Sequence, residues 1–348
     1  MNSSAKSLIA ILPKAELHLH LEGSVEPATL AELSRRHNLP LPTENNRYNV
    51  TGSGDILSEA DVRRLYSYSD FNGFLMAFKA VTERLRTAED YELVTWRLME
   101  KLARENVMHA EVYVSVGVIQ WRGQQVGPLF EGMERGRLRG ERDFGVSLLW
   151  IFDAVRHFGV EAAARVFDVA AQLRDYNVVG IGIGGDERRG PAGEFSALYK
   201  KAADQGLRLT VHAGETVGPE SVWAALNIGA ERIGHGVSIP QDPELVEVLA
   251  EKQVPVEVCI SSNLRTGAIA SLREHPVRRL FDLGLMITLN SDDPEMFQTS
   301  LTGEYLLAQS EFGFSTDHLR ELARNSFEAS FLSPERKLAF LQQIDSLA

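Results

Sequence analysis

Histidine and acidic side chains occur at four points of the chain where a short apolar run ends. They are His18 and His20 in ELHLHLEG, His212 and Glu215 in VHAGE, His235 in RIGHG, and Asp292 and Asp293 in LNSDDP. Successive side chains of a strand alternate between faces, so His18 and His20 point the same way. Two imidazoles on one face, joined by a third histidine and a carboxylate from later strands, form a catalytic type of metal site with a position open for water.

Such a site favours hydrolytic chemistry, because a divalent metal lowers the pKa of bound water toward neutrality. The candidate ligands are His18, His20, His212 and Asp292. His235 can orient or deprotonate the water, and Glu215 can act as the acid if burial raises its pKa. Neighbouring side chains in a strand point apart, so we expect Asp293 to face the substrate and not to share the metal with Asp292.

Composition narrows the class of protein. With 348 residues, 44% of them hydrophobic, the chain is expected to form one domain over residues 1–348. The net charge of −12 argues against nucleic acid or an anionic membrane as partner and favours a small molecule. Cys259 is the single cysteine, so any zinc must be held by histidine and carboxylate.

The first residues carry only a short apolar run, residues 8–12, which is too short for a membrane span and poor as a signal peptide. We therefore expect a soluble, cytoplasmic protein. The sequence carries no prediction of its oligomeric state.

Strand-like and helix-like segments alternate along the chain. The strand candidates are residues 15–21, 107–117, 144–153, 178–184, 207–213, 231–235, 254–260 and 285–290. Eight alternating units with chemistry at the strand ends predict an α/β fold of the (β/α)8 (TIM) barrel type. A doubly wound sheet would not gather residues from strands one, five, six and eight around one point.

Two regions interrupt the alternation. Between strands one and two lie about 85 residues, a length typical of a lid or a substrate-binding wall. They comprise the polar stretch TENNRYNVTGSGD and two helical patterns, around residues 71–86 and 89–105. The residues after Asp293 are predicted to form extra helices on the barrel exterior, with Pro334 starting the last one.

The other histidines are interpreted as structural. His37, His275 and His318 are expected at the surface, and His109 is expected to pack inside strand two. Arg156 and His157, after strand three, fall at the barrel mouth, where a functional and a structural role are equally compatible with the pattern.

The motifs KAELHLHLEG, GGDE, HAGE, RIGHG and NSDDP, in this order over nearly the whole chain, resemble the adenosine deaminase family of the amidohydrolase superfamily. The resemblance implies one Zn²⁺ per chain, with Fe²⁺ as the alternative metal. It also implies hydrolytic replacement of the 6-amino group of a purine by oxygen, with release of ammonia.

The resemblance also implies a role for each site residue. His18, His20, His212 and Asp292 would be the zinc ligands, and His235 would orient or deprotonate the water. Glu215 would protonate purine N1, Asp293 would hold N7, and Gly185 would offer its backbone N–H to N3. Attack on an aromatic carbon needs both a strong nucleophile and a proton on the ring nitrogen, which agrees with these roles.

Three departures from the family pattern bear on the substrate. Glu22 in HLEG replaces a shorter acid, Gly182 replaces an acidic residue, and Arg265 follows strand seven, where a guanidinium can bind a carboxylate. A solvent-facing role for Arg265 is the alternative. With the insertion, these features resemble bacterial members that include aminodeoxyfutalosine deaminases, whose substrate is an adenine nucleoside with a carboxylated aryl group at its 5′ end.

The leading hypothesis is thus a zinc-dependent deaminase of a 6-aminopurine nucleoside, either aminodeoxyfutalosine or adenosine. Free adenine is the alternative substrate. Another metal hydrolase of the same barrel type is disfavoured, because GIGIGGDE offers no lysine for a bridging carbamate. A non-catalytic binding protein is disfavoured because every proton-transfer residue is present.

Overall fold

A computed structural model describes residues 8–40, 58–68 and 71–347 of the chain. Eight parallel strands follow one another in chain order around a barrel. They are β1 (Lys14–His20), β2 (Val107–Val114), β3 (Ser147–Val155), β4 (Val178–Gly184), β5 (Arg208–Ala213), β6 (Arg232–His235), β7 (Val256–Val258) and β8 (Ile287–Leu289). The predicted (β/α)8 barrel and its eight strands are confirmed, although β7 and β8 are shorter than expected.

Helices connect the strands and continue beyond the barrel. The first six are α1 (Pro27–Arg36), α2 (Glu59–Leu65), α3 (Phe71–Thr82), α4 (Ala88–Arg104), α5 (Val116–Trp121) and α6 (Val126–Phe144). The next six are α7 (Val160–Gln172), α8 (Ser196–Asp204), α9 (Pro219–Asn227), α10 (Pro243–Lys252), α11 (Ile260–Arg265) and α12 (Val277–Asp282). The last four are α13 (Pro294–Phe297), α14 (Leu301–Phe312), α15 (Thr316–Glu328) and α16 (Pro334–Asp345).

Proline at the first position starts several of these helices, including α16 at Pro334 as predicted. Its missing N–H costs nothing there, because the first N–H groups of a helix have no partner within the helix. Among the described residues, no helix combines the length and apolarity needed to span a membrane.

Closure of the barrel brings the two ends of the sheet together at the site. The backbone N–H of His20 donates to the carbonyl of Asp292 at 2.8 Å, and the N–H of Asp292 donates to the carbonyl of His18 at 3.0 Å. The side-chain Oδ1 of Asn290 accepts from the N–H groups of Leu17 and His18. The extension of β8 therefore pairs with β1 and places Asp292 beside the two histidines.

The insertion after β1 lies against the same edge of the barrel. Tyr66 donates its hydroxyl to the carbonyl of Val25, and Tyr68 donates to the carbonyl of Met296 at 2.7 Å. Phe74 of α3 stacks on Phe297 of α13, with ring centroids 5.2 Å apart. The described part of the insertion thus forms a wall beside the β1 and β8 loops, while residues 43–55, the polar stretch, lie outside the described residues.

The burial of the remaining histidines agrees only in part with the predicted positions. His109 is fully buried and bonded to Ser147, as predicted for a packing residue. His37 and His318 are half-buried, and His37 bonds to the buried Asp90. His275 is buried, so its predicted surface position is wrong; its ring packs against Phe312 of α14.

Candidate active site

Three imidazoles and a carboxylate converge at the carboxyl ends of β1, β5 and β8. The Nε2 atoms of His20 and His212 lie 3.3 Å apart. Oδ1 of Asp292 lies 3.3 Å from His20 Nε2 and 3.6 Å from His18 Nε2. All four side chains are buried. The structure thus brings the four predicted ligand side chains together at one end of the barrel.

The side chain of His18 is oriented by a chain of buried charges that crosses the barrel interior. Its Nδ1 lies 2.8 Å from Glu257 on β7, whose other oxygen pairs with Arg232 Nε at 2.6 Å. Arg232 also pairs with Glu111 on β2. A carboxylate at Nδ1 fixes the ring and leaves Nε2 free to bind a metal. Gly234 makes room for this ring, since a Cβ there would lie 2.7 Å from His18 Cε1.

Asp292 and Asp293 follow the end of β8. Ser262 donates to Oδ2 of Asp292 at 2.6 Å, leaving Oδ1 toward the histidines. One oxygen of each carboxylate and a nitrogen of His20 lie within 4.8 Å of one another, so Asp293 lies beside the donor set, and its expected role toward the substrate stays a prediction. Strand alternation does not apply here, because Asp292 has a φ of +63°. Burial and the neighbouring carboxylate raise the pKa of Asp293 well above its usual range.

Glu215 lies in the loop after β5 and faces the same centre. Its Oε2 is 3.7 Å from His235 Nε2, and burial raises its pKa. The loop is held by Glu187, whose carboxylate accepts from the N–H groups of Gly214, Glu215 and Thr216 at 2.8 to 2.9 Å. Sequence reasoning missed this role of Glu187, although the residue stands in the GGDE motif.

His235 ends β6 with its ring against those of His18 and His212, at centroid distances of 5.0 and 5.3 Å. Its Nδ1 lies 3.0 Å from the side-chain amide of Asn263 on α11. Oδ1 of Asn263 lies 3.2 Å from Nε2 of the buried His275. Neither neighbour was recognised from the sequence, because both are far from His235 in the chain and no motif marks them.

Glu22 and Asp153 place two buried carboxyl groups beside the donor set. Glu22 accepts from the N–H of Ser115 at 3.0 Å, and burial raises its pKa to about 7. Asp153 on β3 fills the space that Gly182 leaves, since a Cβ at Gly182 would lie 3.0 Å from its Oδ1. Burial raises the pKa of Asp153 to about 8. The sequence analysis missed Asp153; the signal that could have found it is a single acid within the apolar run LLWIFDAV.

Gly185, Arg156 and His157 border the site from β3 and β4. Gly185 has a φ of +93°, and a Cβ there would lie 3.0 Å from His157 Nδ1. Both constraints favour glycine at this position. Arg156 is buried and donates to the carbonyls of Ile183 and His212. Its role is therefore to support the backbone of β4 and β5.

Arg265, the last residue of α11, lies next to the insertion. Its guanidinium carbon is 5.4 Å from the centroid of the Tyr68 ring. Within the part of the chain that the structure describes, Nε and Nη2 of Arg265 are buried and have no hydrogen-bond partner. Two donors of a permanent cation are thus left without an acceptor among the described residues, which is uncommon for buried polar groups.

The hydrogen bonding of the donor set bears on whether a metal can bind there. His18 Nε2 is buried without a hydrogen-bond partner among the described residues, although it lies 3.6 Å from Oδ1 of Asp292 and its ring lies against those of His20 and His212. Close lone pairs on buried imidazoles are compatible with a bound cation, and the orienting groups Glu257 and Ser262 complete the arrangement. The residues therefore fit a divalent metal.

A (β/α)8 barrel with imidazoles and a carboxylate at its mouth defines the amidohydrolase type of metal-dependent enzyme. The family model of adenosine deaminase matches residues 13–347. The chain belongs to the adenosine deaminase family, a family of hydrolytic deaminases.

Similar proteins match nearly the whole length of the chain. An aminodeoxyfutalosine deaminase of Streptomyces avermitilis is 39% identical over 344 residues, covering 98% of this chain and 92% of that protein. An adenine deaminase of Wolinella succinogenes is 33% identical over 340 residues, covering 97% and 98%. The crystal structure of an adenine deaminase from Arthrobacter aurescens matches with a TM-score of 0.87 and 32% identity, covering 97% of this chain and 99% of that one.

Proposed function

We propose that the chain is a zinc-dependent deaminase that hydrolyses the 6-amino group of an adenine nucleoside bearing a carboxylate, as in aminodeoxyfutalosine. Residues 1–348 act as one deaminase domain on a small purine substrate. The observation that carries the reaction is the convergence of four buried ligand-type side chains with Glu215 at one barrel mouth.

His18, His20, His212 and Asp292 would hold the metal. Zn²⁺ bound there would supply Lewis acidity and a nucleophilic water at neutral pH. The three imidazoles favour zinc over a metal that prefers oxygen ligands.

Glu215 is the acid of the reaction. Burial raises the pKa of this carboxyl group, which favours its protonated form, and that form can deliver its proton to purine N1. The proton makes the ring electron-poor at C6, where the water attacks. The backbone bonds from Glu187 keep this carboxyl group directed at the site.

Two groups orient the purine. N7 is a hydrogen-bond acceptor, so it requires a donor, and the raised pKa of Asp293 keeps this carboxyl group neutral and able to donate. Gly185 offers its backbone N–H to N3. A Cβ at Gly23 would lie 1.9 Å from Asp293 Oδ1, so glycine in HLEG lets the carboxyl group lie directly on the backbone.

The carboxylate of the substrate is assigned to Arg265. The guanidinium is partly buried beside Tyr68, and its Nε and Nη2 lack acceptors within the described residues. A carboxylate forms two parallel hydrogen bonds with such a group. The Streptomyces avermitilis relative, an aminodeoxyfutalosine deaminase, supports the same substrate class.

Replacing Arg265 with alanine tests this assignment. We expect KM for aminodeoxyfutalosine to rise about ten- to a hundredfold, the scale of a lost charge-assisted hydrogen bond, while adenosine is almost unaffected. The measurement is steady-state deamination of both nucleosides. Arg273→Ala, an exposed arginine between β7 and β8, is the matched control and should leave both KM values unchanged. Equal effects of Arg265→Ala on both nucleosides would assign the residue a structural role.

Adenine is the second candidate substrate, and Glu22 is the observation that favours it. Its carboxyl group is buried beside the N–H of Ser115, and Oε2 has no partner among the described residues. A longer acid here takes space from a ribose. Adenine deaminases also stand among the relatives.

Glu22→Asp distinguishes the two substrates. If Glu22 fills the ribose position, shortening it by one methylene should move the preference, measured as the ratio of kcat/KM values, from adenine toward adenosine. A methylene changes such a ratio by about 10- to 200-fold. If Glu22 instead binds a nucleoside hydroxyl, Glu22→Asp should weaken nucleoside turnover and leave adenine unimproved.

A substrate panel tests the function as a whole. Ammonia release is measured with adenine, adenosine, deoxyadenosine and aminodeoxyfutalosine at equal concentration. The proposal expects the highest kcat/KM for aminodeoxyfutalosine. Highest turnover of adenine would replace it with the second candidate, and no release from any of the four would reject the deaminase of adenine-type substrates.

A further inference from the structure

A continuous line of hydrogen bonds connects the backbone of α12 to the ring of His235. The N–H of Val277 donates to Nδ1 of His275 at 3.2 Å. Nε2 of His275 lies 3.2 Å from Oδ1 of Asn263, and Nδ2 of Asn263 lies 3.0 Å from Nδ1 of His235. His275, Asn263 and His235 are all buried.

The first hydrogen bond in this line determines which atom donates and which accepts in each of the others. A backbone N–H can only donate, so Nδ1 of His275 is an acceptor. Burial lowers the pKa of His275 to about 4, so the ring is neutral and carries its proton on Nε2. That proton is donated to Asn263 Oδ1, which leaves the Asn263 amide nitrogen to donate to His235.

Reversing the Asn263 amide is not compatible with these contacts. Its NH₂ group would then face Nε2 of His275, which would have to be unprotonated. The His275 proton would move to Nδ1 and point at the N–H of Val277. Two donors would face each other inside the protein, which costs a buried hydrogen bond. The amide orientation is therefore determined by the backbone of α12.

We propose that Asn263 and His275 are positioning residues that hold His235 in the tautomer with its proton on Nε2, so that His235 donates a hydrogen bond to the attacking oxygen and does not deprotonate it. The inference rests on the proposed function only for the identity of that oxygen. His235 Nε2 lies 3.7 Å from Glu215 Oε2 and faces the donor set, so its proton points into the site.

Asn263→Asp reverses the hydrogen bond to His235 while the side chain at position 263 keeps its shape. The carboxylate still accepts from His275 but now accepts from His235 as well, which moves the His235 proton to Nδ1. The measurement is ¹⁵N NMR of the histidine rings at neutral pH, on the metal-free and the Zn²⁺-loaded protein. The His235 signals are identified by their loss in His235→Gln.

We expect the proton on Nε2 in the wild type and on Nδ1 in Asn263→Asp. A wild-type proton on Nδ1, or an unchanged tautomer in Asn263→Asp, overturns the proposal. Both NMR measurements are made without substrate, so they test the tautomer of His235 even if the proposed function fails.

Kinetics give the second readout. Loss of one preorganised donor to the reacting oxygen lowers kcat by about a hundredfold, so Asn263→Asp should reduce kcat to this extent while KM stays within about threefold. His275→Leu, which removes the donor to Asn263, should lower kcat, and His275→Gln, which retains an N–H, should recover part of it. Equal kcat for His275→Leu and wild type would exclude His275 from the line.

Discussion

Replacing Glu215 with glutamine is expected to lower kcat by several orders of magnitude while the metal and the fold are retained. The amide has nearly the same shape as the carboxyl group and fills the same space beside His235. It has no proton that it can transfer to purine N1. Loss of a general acid alone costs about 10²- to 10⁴-fold, and the same proton is needed to make C6 electrophilic.

The measurements are kcat, KM and the metal content of the purified variant. Glu220→Gln is the matched control, since Glu220 is an exposed carboxylate at the start of α9, and its kcat should equal that of the wild type. Near-normal turnover by Glu215→Gln would remove this residue from the mechanism. A low kcat with reduced metal content would instead indicate a defect in the site.

Protonation of Glu215 also predicts how kcat/KM changes at alkaline pH. Burial raises the pKa of Glu215 above that of an ordinary glutamic acid. The reactive form is the protonated one, so kcat/KM should be full below the raised pKa and fall as pH rises through it. The pH dependence of kcat/KM, compared with Glu215→Gln, measures this; the variant should lack the alkaline fall.

Replacing His20 with alanine is expected to remove both metal and activity. Its Nε2 lies 3.3 Å from both His212 Nε2 and Asp292 Oδ1, so it occupies the middle of the donor set. Removing it leaves three protein donors and a gap that water fills. Because the metal supplies several kcal/mol of transition-state stabilisation, kcat should fall by about a thousandfold or more.

Metal analysis and thermal unfolding provide the measurements for His20→Ala. A ligand that binds only the folded state stabilises it by about 2.7 kcal/mol at a hundred times its Kd, so added Zn²⁺ should raise Tm of the wild type and not of the variant. His318→Ala, which removes an imidazole of α15 away from the site, is the control and should keep about one metal per chain. Full activity in a metal-free wild-type preparation would contradict the metal-dependent mechanism.

The fold was predictable from the sequence because each strand of a parallel barrel is a separate apolar run followed by a polar loop. The pattern indicated all eight strands, several of them to within one or two residues, and the helices between them. Short strands such as β7 and β8 were overestimated. Their extent depends on pairing with strands that are distant in the chain, which apolar runs alone do not reveal.

The residues that meet at the site were also predictable from the motifs. His18 and His20 share a face because they lie two residues apart in β1, and this follows from strand geometry alone. That His212, Glu215 and Asp292 lie at the same point follows from the eight-fold alternation, since barrel strands all end at one mouth. The structure brings all seven predicted site residues of these loops together, while their individual roles stay predictions.

Tertiary structure alone decided the contacts between residues distant in the chain. The buried position of His275, the amide of Asn263 against His235 and the carboxyl group of Asp153 in the space left by Gly182 all join different strands and loops. The approach of Asp293 to Asp292 depends on a left-handed backbone at Asp292. Sequence fixes which side chains are available and on which face of a strand they lie. Barrel closure decides which of them meet, because it depends on the packing of all eight units at once.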